Sequence, residues 1–248
     1  MKREQQVASG ARHPYWPRDL SIPSYVENDR SMAEILTFLF SVSGLMLLAA
    51  WFFTGRAVPG PRGGRKLSGA RRLALCWFSV CGFIHLVVEG WFIFYHGTIP
   101  SDQSLLSQLC KQNTSTSRKE YSKGDSRYVI SDNFTVCVET ITVLCWGPLS
   151  IWAVLAFLYN RPNRFLLQLV ISLGQLYGAV LYFFTEHRDG YIHSQPGHPI
   201  YFWFYFFFLN LLWVIIPAFL ILDAWGQLSA AQVLYDSRLV EKDRSKRQ

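Results

Sequence analysis

Apolar residues in this chain gather in blocks and do not alternate with polar ones. Five blocks, at about 32–53, 73–95, 134–158, 165–186 and 201–222, are long enough to cross about 30 Å of hydrocarbon as helices. Only helices or closed barrels satisfy their backbone groups inside a bilayer, and block lengths near twenty residues select helices. The pattern therefore predicts an all-α fold: a polytopic membrane protein, a five-transmembrane-helix bundle with an intramembrane cavity. It divides the chain into a segment 1–31, a membrane domain 32–222 and a basic tail 223–248. Ser31 with Glu34 three residues later resembles a capping box that opens the first span. Gly174 and Gly178 form a GxxxG face suited to close helix packing. Gly147-Pro148 is expected to kink the third span and free a carbonyl. Neither internal repeats nor an inverted half is evident, which speaks against a secondary transporter.

Composition agrees with the block pattern. Of 248 residues, 50% are hydrophobic and only 17% charged, with 19 Phe, 12 Tyr and 9 Trp. The net charge of +7 carries no base-reading motif, so nucleic acid is excluded as a partner. Its charges fall in the links and the tail. Arg56, Arg62, Arg65, Lys66, Arg71 and Arg72 follow the first span, Arg161 and Arg164 the third. The positive-inside rule puts these in the cytoplasm, and an odd number of spans then makes the N-terminus luminal. Trp51, Trp77, Trp91, Tyr95, Tyr201 and Trp203 lie near the predicted span ends, as in an aromatic belt. The start of the chain has no apolar core or cleavage site of a signal peptide, so the first span is expected to direct insertion. Cys76, Cys81, Cys137 and Cys145 lie in apolar runs and Cys110 in a polar loop. With no CxxC pair, all five read as packing residues. "RSKRQ" at the end imperfectly resembles a dibasic retrieval signal. Asn113 in "NTS" is a glycosylation candidate in the predicted luminal loop.

The candidate chemistry is the set of polar residues inside the spans. His85 and Glu89, four apart in "IHLVVEG", share a helical face of the second span. Glu89 lies about 9 Å from the luminal end and His85 one turn deeper. The third span runs the other way, and Glu139 lies about 8 Å in, with Thr142 on the same face. Asn210 and Trp213 share a face of the fifth span at the depth of His85. Each unpaired polar group in hydrocarbon costs several kcal/mol, so convergence on one cavity is expected. One alternative is a hydrogen-bond network that only holds helices together. A metal site built on HxxxE lacks a second histidine at suitable depth, and none is expected. A protonated carboxyl in an apolar pocket can act as an acid, and a tryptophan face can stabilise a cation. These residues suit proton transfer on a lipid-soluble substrate without a cofactor.

"HPYWP", "LCWFSVCGFIHLVVEGWF", "YSKGDSRYVISDNFTVCVETIT", "GPLSIW", "LYFFTEHRDG" and "GHPIYFWFYFFFLNLLW" resemble the emopamil-binding protein family, the 3β-hydroxysteroid Δ8,Δ7-isomerases of the EXPERA/EBP group. The resemblance runs from His13 to about Ala224. It implies five membrane helices in the endoplasmic reticulum and nuclear envelope, and movement of a ring double bond from C8–C9 to C7–C8 in cholesterol biosynthesis. It further implies binding of lipophilic amines, contact with membrane lipid, and room for a homodimer. It implies acid–base roles for His85, Glu89 and Glu139, and substrate-binding roles for Thr142, Asn210, Trp213, Arg127 and Tyr128. The passage 112–119 is longer than is usual in that family. A non-catalytic sterol or amine receptor on the same scaffold is the rival expectation.

Overall fold

The structure is a computed structural model, and it describes residues 13–22, 32–56, 67–98 and 122–247. The Ser31 cap, Cys110, Asn113, the 112–119 passage and the basic residues 62, 65 and 66 lie outside the described residues. Among those described, every regular element is helical. Five helices are long and apolar enough to span a membrane. We label them α1 (Met32–Arg56), α2 (Gly69–Tyr95), α3 (Asn133–Leu158), α4 (Arg164–Arg188) and α5 (Pro199–Lys246). The protein is a multi-pass membrane protein of the expected class.

Caps fix where the helices begin. The Ser68 hydroxyl accepts the Arg71 N–H and starts α2 earlier than the apolar block does. Asp132 accepts the Thr135 N–H at 3.2 Å and starts α3. His198 Nδ1 accepts the Tyr201 N–H at 3.0 Å, with Pro199 in the first turn of α5. The segment read as a basic tail is helical: α5 runs without a break to Lys246. The earlier start of α2 corrects one expectation. Trp77 does not join an aromatic belt; it lies inside the span, 4.8 Å from the Trp213 ring.

α4 packs along α5, α1 against α2, and α2 against α3. α1 is peripheral, with Leu45, Leu48 and Phe53 exposed on its outer face. Glycines set the closest approach of α2 to α3. A Cβ on Gly82 would meet Ile151 at 2.3 Å, and one on Gly147 would meet Leu86 at 2.8 Å. In the GxxxG pair only Gly174 is a packing position, and it receives the Trp146 ring, which a Cβ there would meet at 2.3 Å. Space beside Gly178 is open. The cysteines also divide: Cys76 and Cys81 are buried, but Cys137 and Cys145 face outward, against the packing expectation. An outward face of a membrane helix accepts a small apolar thiol as readily as a core does.

Two apolar clusters bracket the middle of the bundle. One joins Ala74, Phe78, Ala153, Ala156, Leu167, Ile171 and Leu220. The other joins Phe92, Tyr128, Tyr182, Phe202 and Phe206. On α2, α4 and α5 the stretch between the clusters carries the polar residues. Close to the first cluster, the Arg71 guanidinium clasps Asp223, with Nη2 to Oδ1 at 2.7 Å. Gln168 donates to Asp223 at 2.7 Å and to the Leu220 carbonyl at 2.9 Å. This clasp joins α2, α4 and α5.

Candidate active site

Three π-helical turns lie at the level of the site: Ile84–Glu89 in α2, Thr142–Trp146 in α3 and Pro199–Phe208 in α5. Each closes with a bond from residue i to i−5, such as Gly90 N–H to the His85 carbonyl and Gly147 N–H to the Thr142 carbonyl. Such turns are rare and concentrate at functional sites. In α3 the turn ends at Gly147-Pro148, where proline has no N–H to continue the α ladder. The expected kink at this dipeptide takes the form of a change of helical register.

Within the α2 turn, His85 Nδ1 lies 2.7 Å from Glu89 Oε2. His85 is 3% exposed. The α3 side chains form a second unit. Glu139 accepts the Tyr128 hydroxyl at 2.7 Å on Oε1 and the Thr142 hydroxyl at 3.3 Å on Oε2. The units lie side by side, since the α2 turn that carries His85 and Glu89 packs against the part of α3 that carries Glu139 and Thr142. From α5 the Trp213 ring packs on His85 with centroids 5.1 Å apart. His85, Glu89, Glu139, Thr142 and Trp213, all expected near one depth, thus lie together inside the membrane-spanning bundle.

Asn210 is used differently from Trp213. Its amide donates to the Phe206 carbonyl at 2.7 Å and the Tyr205 carbonyl at 3.4 Å. These carbonyls lie where the α5 π turn gives way to α-helix, so the amide serves backbone groups at the changing ladder. Gln175 of α4 was not anticipated. Its Nε2 lies 3.3 Å from His85 Nε2. The signal was available: counted at 1.5 Å per residue from the start of the fourth apolar block, Gln175 lies about 15 Å in, the depth of His85.

Arg127 and Tyr128 come from a short 3₁₀ turn, Ser126–Tyr128, capped by Asp125. Arg127 is 1% exposed. Its Nε donates to both Asp125 oxygens at 3.0 Å, and Nη1 donates to Thr185 at 2.9 Å. Burial alone would lower the guanidinium pKa, but the Asp125 carboxylate outweighs it and holds the charge more firmly than usual. The side chain points into this loop network, and its neighbour Tyr128 is the residue of this turn that reaches Glu139.

The same network includes Glu186, which is fully buried. Gly190 and Tyr191 take left-handed backbone conformations, φ 74° and 60°, and turn the chain back over the end of α4. Glu186 then accepts the His193 N–H and the Ser194 hydroxyl, both at 2.9 Å, and lies 2.9 Å from His193 Nδ1. Asp189 completes a grouping with Glu186 and His193 whose ligand atoms lie within 4.8 Å; with Glu186 and His193 already bonded, it reads as a loop pin. Burial lowers the His193 pKa, but the Glu186 hydrogen bond and charge raise it more, so it stands above its ordinary value. A raised folded-state pKa stabilises the fold below the unfolded value of about 6.5 and loses that contribution as pH rises through the folded value. The Tm deficit of His193→Gln in detergent is therefore expected to be largest at acidic pH and to shrink on raising the pH. A deficit independent of pH would refute the charged pin.

Residues 114–224 match the family model for EXPERA, the expanded EBP superfamily. The chain is 53% identical over 229 residues to the 3-beta-hydroxysteroid-Delta(8),Delta(7)-isomerase of Mus musculus, covering 92% of this chain and 94% of that protein. It is 51% identical to the Cavia porcellus isomerase of the same name, over 95% and 97% of the two chains. The chain belongs to the EXPERA family. A more distant member, a protoglabretal synthase of Ailanthus altissima, is 30% identical over 92% of this chain and 97% of its own length. EXPERA membership thus extends to a relative whose name records a different product. The site therefore has to be argued from its side chains.

Proposed function

We propose that the chain is a sterol Δ8–Δ7 isomerase, with His85, Glu89 and Glu139 as its acid–base groups. The observation that supports this best is the juxtaposition of two hydrogen-bonded units, His85–Glu89 and Tyr128–Glu139–Thr142, on packed helices of a membrane bundle beside Trp213. One unit supplies a proton to C9 of the Δ8 sterol, leaving a cation at C8. The other takes a proton from C7, and the double bond comes to rest at C7–C8. The carboxylates and the Trp213 face stabilise the intermediate charge. Purified protein given zymostenol is expected to yield lathosterol. Binding of the sterol without turnover would favour a receptor instead.

Lipophilic amines would occupy the same site as mimics of the cation. Trp213→Ala is expected to weaken binding of a tertiary amine by about 1–2 kcal/mol, and Trp213→Phe by less, because a smaller ring face remains. Equal, negligible losses would reduce Trp213 to a packing residue beside His85.

The family resemblance supports residence in the endoplasmic reticulum and nuclear envelope membranes, and the basic links support a luminal N-terminus. In that orientation Asn113 carries a glycan on protein made in cells, and Asn133, the first residue of α3, lies too near the membrane to be used. Endoglycosidase should shift the mobility of the protein, and Asn113→Gln should abolish the shift. Labelling of a cysteine at position 113 from the cytosolic side of sealed microsomes would invert the orientation.

A further inference from the structure

We infer that Gln175 is a positioning residue for proton transfer, a two-way partner whose amide turns over as the His85–Glu89 pair gains or loses a proton. The inference rests on the isomerase reading of that pair. Gln175 is buried in the middle of α4. Its Nε2 faces His85 Nε2 at 3.3 Å, and the opposite ring nitrogen, Nδ1, faces Glu89 Oε2 at 2.7 Å. An ionised carboxylate only accepts hydrogen bonds, so Nδ1 carries the ring hydrogen and Nε2 presents its lone pair. The Gln175 amide N–H fills that lone pair. This is the arrangement of a neutral imidazole.

The other end of the amide is the revealing part. Gln175 Oε1 is buried with no hydrogen-bond partner. A buried carbonyl oxygen left this way is unfavourable unless a second state of the site uses it. Half a turn about the last side-chain bond exchanges Oε1 with Nε2 and puts an acceptor against His85 Nε2. That orientation suits a ring that carries hydrogen at Nε2.

The proton count follows. With Gln175 donating, the pair holds one hydrogen, on Nδ1, and Glu89 is a carboxylate. With Gln175 accepting, the pair holds two hydrogens. The one between Nδ1 and Oε2 can then reside on Glu89, which becomes a carboxylic acid next to a neutral ring. Only N–H and O–H bonds change, and the two states differ by a single proton. In the proposed reaction that proton leaves for the sterol carbon, and the proton released from C7 replaces it by way of Glu139, whose stretch of α3 packs against the α2 turn that carries Glu89. Methionine in place of Gln175 would fill the same space and serve neither state.

The experiment compares purified full-length Gln175→Met, Gln175→Glu and His85→Ala, with zymostenol turnover and thermal unfolding as readouts. Gln175→Met keeps length and volume. It is expected to lower kcat by about tenfold or more, the scale of leaving a buried hydrogen-bonding nitrogen without its partner, with KM within about twofold. Gln175→Glu keeps the acceptor and loses the donor, and it is expected to lower kcat as well. Should Gln175→Met fail to fold, Gln175→Glu decides the matter. If His85→Ala is inactive while the folded Gln175 variants keep full kcat, the proposal is overturned and the isomerase reading stands. Full activity in His85→Ala would overturn the role of the histidine itself, and this inference with it.

Discussion

Glu139→Gln is expected to lower kcat for sterol isomerisation by about 10²–10⁴-fold, the range that a positioned proton-transfer group contributes, without unfolding the protein. The substitution is nearly isosteric. The Tyr128 hydroxyl can still donate to the amide oxygen that replaces Oε1, to which it now donates at 2.7 Å. The Thr142 hydroxyl already donates to the Glu139 backbone carbonyl at 2.8 Å, so its oxygen can accept from the new amide nitrogen. Shape and hydrogen bonding persist, and only the ability to gain and lose a proton disappears. His85→Ala is expected to have a loss of similar size, because it removes the partner of Glu89 and the ring beneath Trp213. The double variant should lose little more than either single variant if the groups act as one unit. Turnover by purified protein, with gel filtration to confirm folding, checks both. A kcat within about threefold of the unmodified protein in Glu139→Gln would remove Glu139 from the mechanism.

Arg127→Leu is expected to destabilise the protein by about 3–5 kcal/mol, the loss seen when one member of a buried ion pair is removed. Arg127 and Asp125 are both almost fully buried, and Glu186 lies 3.7 Å from the Arg127 Nε. Leucine would leave two buried carboxylates facing each other's charge without the guanidinium. It would also free the turn that carries Tyr128, so kcat should fall along with stability. Thermal unfolding in detergent measures the first effect. Asp125→Leu added to Arg127→Leu should recover part of the loss, because replacing a whole buried pair by apolar residues is tolerated better than breaking it. A loss under about 1 kcal/mol in the single variant would show that the loop does not depend on this ion pair.

What could be read from the chain beforehand divides along physical lines. Spans are legible because a bilayer demands about twenty apolar residues in a row. His85, Glu89 and Glu139 are legible because ionisable groups are rare in hydrocarbon and stand out. Gln175 is a neutral amide among leucines and glycines, and only its depth marked it. The network around Arg127 was out of reach because Thr185 lies 58 residues away in sequence, and no local pattern encodes that contact. The π turns have no residue signature: in α2 the turn is "IHLVVE", which would sit equally well in an α-helix until tertiary contacts choose. The continuation of α5 was the easier omission. "LSAAQVLYDSRLVEK" is rich in strong helix formers, although its charge alone would suit an unstructured basic tail.

That continuation makes α5 a stiff handle on a small target. From Leu222 to Lys246 the helix projects about 36 Å at 1.5 Å per residue, in register with the turns that hold Trp213. A rigid domain grafted onto it through a shared helix would inherit a fixed angle to the membrane portion. For a 28.6 kDa chain whose described residues lie mostly in helices long enough to span a membrane, such a graft would supply asymmetric mass outside the detergent by which single particles could be aligned in electron cryomicroscopy.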